Sequence, residues 1–249
     1  MTSVDYDFHA NLHTESGALK GMRYLVEDGG FTSILDVGAG TGTWLSAASK
    51  LGIGDIFGVD GVPIDDRELC VSKQFVRVAD LRLPIDLGRT FDAVLCLEVA
   101  EHLPPESAST LIESLCRHAD LVYFSAAVPH QDGYRHVNCQ WPSYWQALFN
   151  ASGFVCSDSI RFRMWGDQDV EPWYRQNIFV ARRNSEAAGH EPRILSVVHP
   201  DMIRYLKNPE SPFAQQLRHI EHGRLEVRQY ARLLSIAMRR EIARRLKRG

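Results

Sequence analysis

The stretch ILDVGAGTG, residues 34–42, decides the fold of this 249-residue chain. A short apolar run leads into three glycines at alternate positions, and residues 43–48 are typical of the start of a helix. The pattern predicts a strand, a glycine turn and a helix N-terminus. Glycine is needed where the backbone takes a positive φ or where a ligand approaches the main chain closely. We therefore expect a small-molecule site at this turn.

The spacing of the glycines distinguishes between classes of ligand. Gly38, Gly40 and Gly42 follow Asp36 in the pattern D-x-G-x-G-x-G. A dinucleotide fingerprint reads G-x-G-x-x-G and binds pyrophosphate at the helix N-terminus. Here the third glycine comes one residue too early for that fingerprint. The structural alternative is a tight turn of an α/β protein that binds no ligand.

Composition limits the class of protein. The chain is 45% hydrophobic, and its five widely spaced cysteines include no C-x-x-C pair, so we predict neither a disulfide framework nor a zinc knuckle. The polar N-terminus and the lack of a run of about 18 apolar residues predict a cytoplasmic protein without membrane insertion. The basic tail from Met238 is interpreted as a solvated helical face, with nucleic acid, anionic lipid or a partner as alternatives.

Two further predicted strands end in an acid. DIFGVD, residues 55–60, ends at Asp60, whose two oxygens suit both hydroxyls of a ribose beside the glycine turn. FVRVADLRLP, residues 75–84, contains Asp80 and Leu81. A carboxylate accepts from the exocyclic amine of adenine, while leucine packs on the ring. The alternative for either acid is a helix cap or a turn.

A fourth strand carries a group of acids and a histidine. Residues 91–97, FDAVLCL, are nearly all apolar, as in a strand buried on both faces of a parallel sheet. Glu98, Glu101 and His102 follow, then a helix over residues 106–118. Functional groups in open α/β sheets collect at the carboxyl ends of strands, which is where this group falls.

The stretches LDVGAGTG, GVD, VADL and FDAVLCLEVAEHLP, in this order and with these gaps, resemble the motifs of class I S-adenosylmethionine (SAM)-dependent methyltransferases. The resemblance covers residues 34–182. It implies an α/β, Rossmann-like, doubly wound sheet of seven mostly parallel strands with an antiparallel last strand. It also implies a SAM site made of Asp36, Gly38, Gly40, Gly42, Asp60, Asp80, Leu81 and Glu98.

A loop rich in polar and aromatic residues follows the fifth strand, residues 121–125. Long loops at this edge of the sheet are commonly functional, and we expect this one to be a lid over the acceptor. Two of its histidines, His130 and His136, are candidate bases. The candidate substrate-binding residues are Asp132, Tyr134, Arg135, Asn138 and Trp141.

A change in composition near the end of the chain predicts that the chain has two parts. A helix is predicted over residues 142–152, then strands over residues 154–162 and 173–181. The composition becomes polar after Arg183, so we predict a methyltransferase domain over residues 1–183 and a helical extension over residues 184–249. Apolar residues at helical spacing in the extension predict an amphipathic helix; they are Phe213, Leu217, Ile220, Val227, Tyr230, Leu234 and Met238. We expect this helix to pair two copies in a homodimer, with packing on the domain or contact with a partner as alternatives.

We predict an O-methyltransferase that acts on a hydroxyl of a mono- or oligosaccharide, because an acidic chain with a polar aromatic lid favours a small acceptor over nucleic acid. A histidine is the natural base: His136 ranks first, His130 second, and His102 has a structural role as its alternative. Glu98, Asp132 and a histidine are candidate ligands of a divalent ion such as Mg²⁺, although no spacing requires one. The alternatives are a phenolic or lipid acceptor, a nicotinamide oxidoreductase and a non-catalytic binding module.

Overall fold

A computed structural model describes residues 14–131 and 133–207, together with Val227, Tyr230 and Leu234. The chain divides into two compact units, Met1–Ile203 and Arg204–Gly249. The first unit contains the whole sheet and continues to Ile203, and the domain boundary at residue 183 stays a prediction. In the second unit, Val227, Tyr230 and Leu234 are helical. The other positions of the predicted amphipathic helix lie outside the described residues.

The sheet has the order β3-β2-β1-β4-β5-β7-β6. Strands β1 to β5 pair in parallel, whereas β7 runs antiparallel to both β5 and β6. This topology confirms the predicted seven-stranded sheet. The strands are β1 Ser33–Val37, β2 Asp55–Asp60, β3 Val76–Val78, β4 Ala93–Leu97, β5 Leu121–Ser125, β6 Phe154–Ser157 and β7 Phe179–Arg183.

Helices cover both faces of the sheet, and short 3-10 turns follow β4. In the described ranges the helices are α1 Glu15–Gly29, α2 Thr43–Lys50, α3 Ala108–His118, α4 Pro142–Ala151, α5 Ser159–Met164, α6 Pro172–Asn177 and α7 Pro200–Lys207. None of these helices has both the length and the apolar character that a bilayer span requires.

The alternation of side chains along the strands builds two cores. Leu35 and Phe124 face one side, where they join Leu115 of α3 and Phe149 of α4. Neighbouring residues of the same strands face the other side and join apolar residues of α1 and α2. Because both faces are covered, the central strands are apolar throughout. This packing holds the carboxyl ends of β1, β2 and β4 at one edge of the sheet.

Two segments predicted as strand continuations are helices instead. Strand β6 ends at Ser157, and α5 follows within the range predicted as strand. Ile160 and Met164 of α5 are both fully buried, whereas Phe162 between them is 48% exposed; a strand would place all three on one face, so this burial pattern is that of a helix. Residues 173–177 belong to α6, whose first residue, Pro172, has the fixed φ that suits a helix start.

Residues 184–203 pack against α4 and β6 within the first unit. The Glu191 carboxylate accepts hydrogen bonds from Gln146 and Asn150 of α4, at 2.9 and 2.7 Å, and from the Cys156 N–H of β6, at 3.1 Å. Ile194 is 3% exposed and joins the core that contains α4. These contacts explain why the compact unit continues past the polar stretch that follows β7.

Candidate active site

The glycine turn between β1 and α2 has the predicted backbone. Gly38, Gly40 and Gly42 have φ values of 85°, 52° and 79°, in the left-handed region that glycine enters without strain. The Gly38 N–H donates to Val59 of β2 at 2.7 Å. A Cβ on Gly38 would collide with the side chain of Val99. The turn therefore needs glycine for both its conformation and its packing.

Asp60 closes this turn from the end of β2. Its Oδ2 accepts from the Gly40 N–H and its Oδ1 from the Val62 N–H, both at 2.8 Å. The Gly61 N–H is a third backbone donor beside this carboxylate, which has four lone pairs in all. Burial raises the pKa of Asp60, and the backbone N–H groups oppose that rise. The predicted contact with ribose hydroxyls stays a prediction.

Asp36 is a second buried acid at the same turn. It is 3% exposed within β1. Burial, and then the neighbouring charge of Asp60, raises the pKa of Asp36 to about 7. Asp36 is therefore partly protonated at neutral pH.

The two residues predicted to contact adenine have protein partners. Arg82 donates to both carboxylate oxygens of Asp80, from Nε at 2.8 Å and from Nη2 at 2.6 Å. This pairing lowers the pKa of Asp80. Leu81 is 5% exposed and packs in the core. Contact with adenine stays a prediction for both.

Glu98 lies directly after β4 with a left-handed backbone, at φ 56°. Its carboxylate accepts from Asn177 Nδ2, at 3.0 and 3.2 Å, and from Gln131 Nε2, at 3.1 Å. Burial raises the pKa of Glu98 to about 7 against the effect of these donors. Sequence reasoning missed Gln131, Asn177 and the adjoining Gln176. The only signal for the latter two was a polar pair directly before a buried strand.

The lid loop is tied to the turn after β4. The backbone N–H groups of Val137 and Asn138 donate to the Glu101 carbonyl, at 2.8 and 3.0 Å. This pairing places the rings of His102 and His136 with centroids 4.9 Å apart and an interplanar angle of 73°. Two of the three candidate histidines are thus neighbours, although 34 positions separate them in the sequence.

His136 is oriented through one ring nitrogen. Its Nδ1 lies 2.8 Å from the Gln131 carbonyl oxygen. A carbonyl only accepts, so Nδ1 carries the proton and Nε2 carries the lone pair in the neutral ring. Nε2 is therefore the nitrogen able to accept a proton.

Glu101 lies next to both histidines. One ligand atom each of Glu101, His102 and His136 lies within 4.8 Å of the others. Glu101 is fully buried, and its carboxylate oxygens make no hydrogen bond of ordinary geometry among the described residues, although the Ala127 N–H and the Glu98 carboxyl lie beside it. Burial, and then the charge of Glu98, raises the pKa of Glu101 well above its usual value.

The other predicted lid residues have different surroundings. His130 is exposed, at φ 68°, and is not part of the cluster that the described residues form around His102. Arg135 is exposed beside the Tyr134 ring, with its guanidinium carbon 5.7 Å from the ring centroid. Trp141 is 37% exposed, whereas Asn138 is 2% exposed. Asp132 lies outside the described residues.

Residues 11–161 match the model of a family described as a methyltransferase domain. No curated protein sequence gives a significant match. The sugar N-methyltransferase KedS8 from a Streptoalloteichus species is 20% identical with a TM-score of 0.55; the alignment covers 74% of this chain and 97% of that one.

Two further solved structures share the fold. SAM-bound CalS10, an amino pentose methyltransferase from Micromonospora echinaspora, is 17% identical with a TM-score of 0.51, over 74% of this chain and 100% of that one. The magnesium protoporphyrin IX methyltransferase ChlM from Synechocystis, solved with SAH, is 20% identical with a TM-score of 0.50, over 68% and 83%. At these identities the likeness concerns the fold alone.

Proposed function

The chain belongs to the family of methyltransferase domains, and we propose that this SAM-dependent methyltransferase methylates a hydroxyl group of a carbohydrate. The observation that carries the proposal is the orientation of His136, whose Nε2 bears the lone pair at the edge of the sheet where Glu98 lies. A hydroxyl is a poor nucleophile until its proton is removed, and a neutral imidazole is suited to remove it.

We assign the cofactor to the glycine turn and the acids around it. In this assignment Asp60 accepts from the ribose hydroxyls through the acceptor capacity that the N–H groups of Gly40, Gly61 and Val62 leave available. Glu98 lies near the methionine end, where Asn177 and Gln131 fix its carboxylate. Asp80 and Leu81 flank the adenine.

The reaction is an in-line displacement, so positioning supplies much of its rate. The acceptor oxygen forms a bond to the methyl carbon while the carbon–sulfur bond of the sulfonium breaks. The hydroxyl proton passes to Nε2 of His136, and S-adenosylhomocysteine leaves. His130 is the second candidate base, since it follows the same strand but lies outside the cluster of His102 and His136.

The carbohydrate assignment rests on the lid. Tyr134, Arg135 and Trp141 combine a half-buried ring, an exposed cation and an exposed ring, which are groups suited to polyhydroxyl compounds. KedS8 and CalS10 are sugar methyltransferases with this fold. ChlM acts on a porphyrin, so a phenolic or other small acceptor is the alternative.

An acceptor screen with methyl-labelled SAM tests the proposal. The panel contains monosaccharides, oligosaccharides, small phenols, lipids and tRNA. We expect label in a saccharide, in an ether linkage that is stable to mild base. Label confined to a phenol, a lipid or tRNA would overturn the carbohydrate assignment.

Titration calorimetry separates the proposal from the other two classes. We expect heat of binding with SAM and none with NAD. An oxidoreductase would show the reverse. A binding module would bind SAM yet transfer no label to any acceptor in the panel.

The cytoplasmic location and the homodimer through the C-terminal helix stay predictions. Most of that helix lies outside the described residues, although Val227 and Leu234 are exposed, at 84% and 62%. Sedimentation of the full chain tests the dimer.

A further inference from the structure

We propose that Glu101, His102 and His136 form a binding site for a divalent transition-metal cation. The site differs from the ligand set expected from the sequence. Glu98 is held by two amide groups, and Asp132 lies outside the described residues. This inference goes beyond the proposed function, because the cation site is independent of the identity of the acceptor.

The geometry of the three side chains suits one small cation. Their ligand atoms lie within 4.8 Å of one another. Ligands bonded at about 2.1 Å around one ion lie about 3–4 Å apart, so a small rotation of the two rings closes the site. Two imidazoles and one carboxylate are the donors of catalytic zinc and non-haem iron sites. This donor set favours Zn²⁺, Mn²⁺ or Fe²⁺ over Mg²⁺, which prefers oxygen ligands.

Glu101 gives the strongest reason to expect a cation. Its side chain is fully buried, and its oxygens make no hydrogen bond of ordinary geometry among the described residues; the Ala127 N–H and the Glu98 carboxyl are its polar neighbours. An ionised carboxylate in that position is costly unless a charge compensates for it. Either a proton or a cation can compensate, and two histidine rings lie within ligand distance. The cation is the occupant that uses all three groups.

The surrounding contacts pre-orient the ligands. Metal-bound histidines usually donate their other ring N–H to a carbonyl or a carboxylate. His136 donates from Nδ1 to the Gln131 carbonyl, which leaves Nε2 as the ligand atom. The hydrogen bonds from Val137 and Asn138 to the Glu101 backbone hold the two parts of the site together.

Three protein ligands leave coordination positions open, as in catalytic sites. If the proposed function holds, two vicinal sugar hydroxyls are suited to occupy those positions. A bound cation lowers the pKa of a hydroxyl ligand. With a cation on Nε2, His136 would act as a ligand rather than as the base, and His130, the second candidate base, would accept the hydroxyl proton. Without the cation, Nε2 accepts that proton.

The test is direct binding of Mn²⁺ to the full chain after treatment with EDTA and desalting. Electron paramagnetic resonance measures free Mn²⁺ during the titration, and added Zn²⁺ then competes. We expect about one tight site per chain, released by Zn²⁺. Glu101→Gln, His102→Ala and His136→Ala should each weaken binding at least tenfold, as expected for loss of a ligand.

His190→Ala is the matched control, because His190 is exposed and lies outside the cluster. It should bind Mn²⁺ as the wild type does. Wild-type binding no tighter than that of Glu101→Gln would overturn the proposal, as would equal weakening in His190→Ala.

SAM affinity reports whether each variant is folded, since SAM binds at the glycine turn. Should Glu101→Gln fail to bind SAM, the two histidine variants decide the question. The acceptor screen gives a separate result. A chain that methylates a saccharide without binding Mn²⁺ refutes only the cation site. A chain that binds Mn²⁺ but methylates no saccharide refutes only the carbohydrate assignment.

Discussion

Buried acids are the main residue-scale feature of this site. Asp36, Glu98 and Glu101 lie at the carboxyl edge of the sheet, and burial raises the pKa of each. In two of them, different neighbouring groups offset the cost of burying the carboxylate. Glu98 accepts from amide donors, and Glu101 lies beside two imidazoles. The free-energy cost of burying these carboxylates in their ionised form makes a bound ligand or cation favourable there.

Asp36 makes stability depend on pH. Its pKa is about 7 in the folded chain against an ordinary value of 3.8. Folding therefore takes up a proton between these pH values, and the free energy of unfolding decreases as pH rises through that range. Asp36→Asn lacks this loss, so without SAM it should be more stable than the wild type by about 2–4 kcal/mol at pH 8.

Denaturant unfolding from pH 4 to pH 8 measures this difference. We expect it to grow steadily with pH and to level off above pH 7. A difference that is the same at pH 5 and pH 8 would contradict the assigned pKa.

His136 should affect turnover far more than cofactor binding. His136→Ala should lower the rate of methyl transfer by about 10²–10⁴-fold, the usual contribution of a general base. SAM affinity should change less than about threefold, because the ring contacts the Gln131 carbonyl and His102 rather than the glycine turn. Single-turnover rates and calorimetry measure the two quantities. Full activity in His136→Ala would show that His136 is not the base.

At the scale of elements, the turns after the strands decide what the site contains. The β1–α2 turn requires glycine, and the turn after β4 carries both Glu98 and Glu101. Helix α6 supplies Asn177 as its last residue, from a segment predicted as strand. An element assigned wrongly from sequence therefore concealed a partner of Glu98.

Glu191 should stabilise the contact of residues 184–203 with α4 and β6. Burial raises the pKa of Glu191, but hydrogen bonds from Gln146, Asn150 and the Cys156 N–H outweigh it and bring the pKa to about 2. Glu191→Gln should lower the free energy of unfolding at pH 7 by about 1–2 kcal/mol, a value reduced for partial exposure.

The contribution of Glu191 is fully present above pH 4.5, the ordinary value. Folding releases its proton between pH 4.5 and pH 2, so the stabilisation is lost as pH falls through that window. Urea unfolding of both proteins at pH 7, 4 and 2.5 measures the loss. A difference that persists at pH 2.5 would show that charge is not its source.

At the scale of the whole molecule, the boundary of the first unit has a measurable consequence. A chain of residues 1–183 loses the Glu191 hydrogen bonds and the burial of Ile194. These two losses amount to about 3–5 kcal/mol, which lowers Tm by about 10 °C in a domain of this size. A chain of residues 1–207 keeps both contacts.

Calorimetric melting of the two shortened chains tests this boundary. We expect the chain of residues 1–207 to melt about 10 °C above the chain of residues 1–183. Equal melting temperatures would show that the contacts of residues 184–203 contribute nothing, and would favour the boundary predicted at residue 183.

Local pattern predicted the glycine turn and several strands, and the resemblance of the successive motifs to a known family predicted the class of fold. Apolar runs predicted β2 and β5 with the bounds that the structure has. A strand that is buried on both faces has apolar residues at consecutive positions, and such a run can be recognised in the sequence. The positive φ at Gly38, Gly40 and Gly42 was likewise readable, since only glycine enters that region without strain.

Tertiary structure decided which side chains meet. Asn177 contacts Glu98 from 79 positions away, and His136 reaches Glu101 and His102 through backbone hydrogen bonds of its loop. Such contacts depend on the conformation of loops that pack over the sheet, and this conformation cannot be predicted from the spacing of residues in the sequence. The sequence by itself therefore predicted the edge of the sheet at which we expect ligands to bind, the carboxyl edge of the parallel strands. Only the packing of the lid and α6 decided which groups face them.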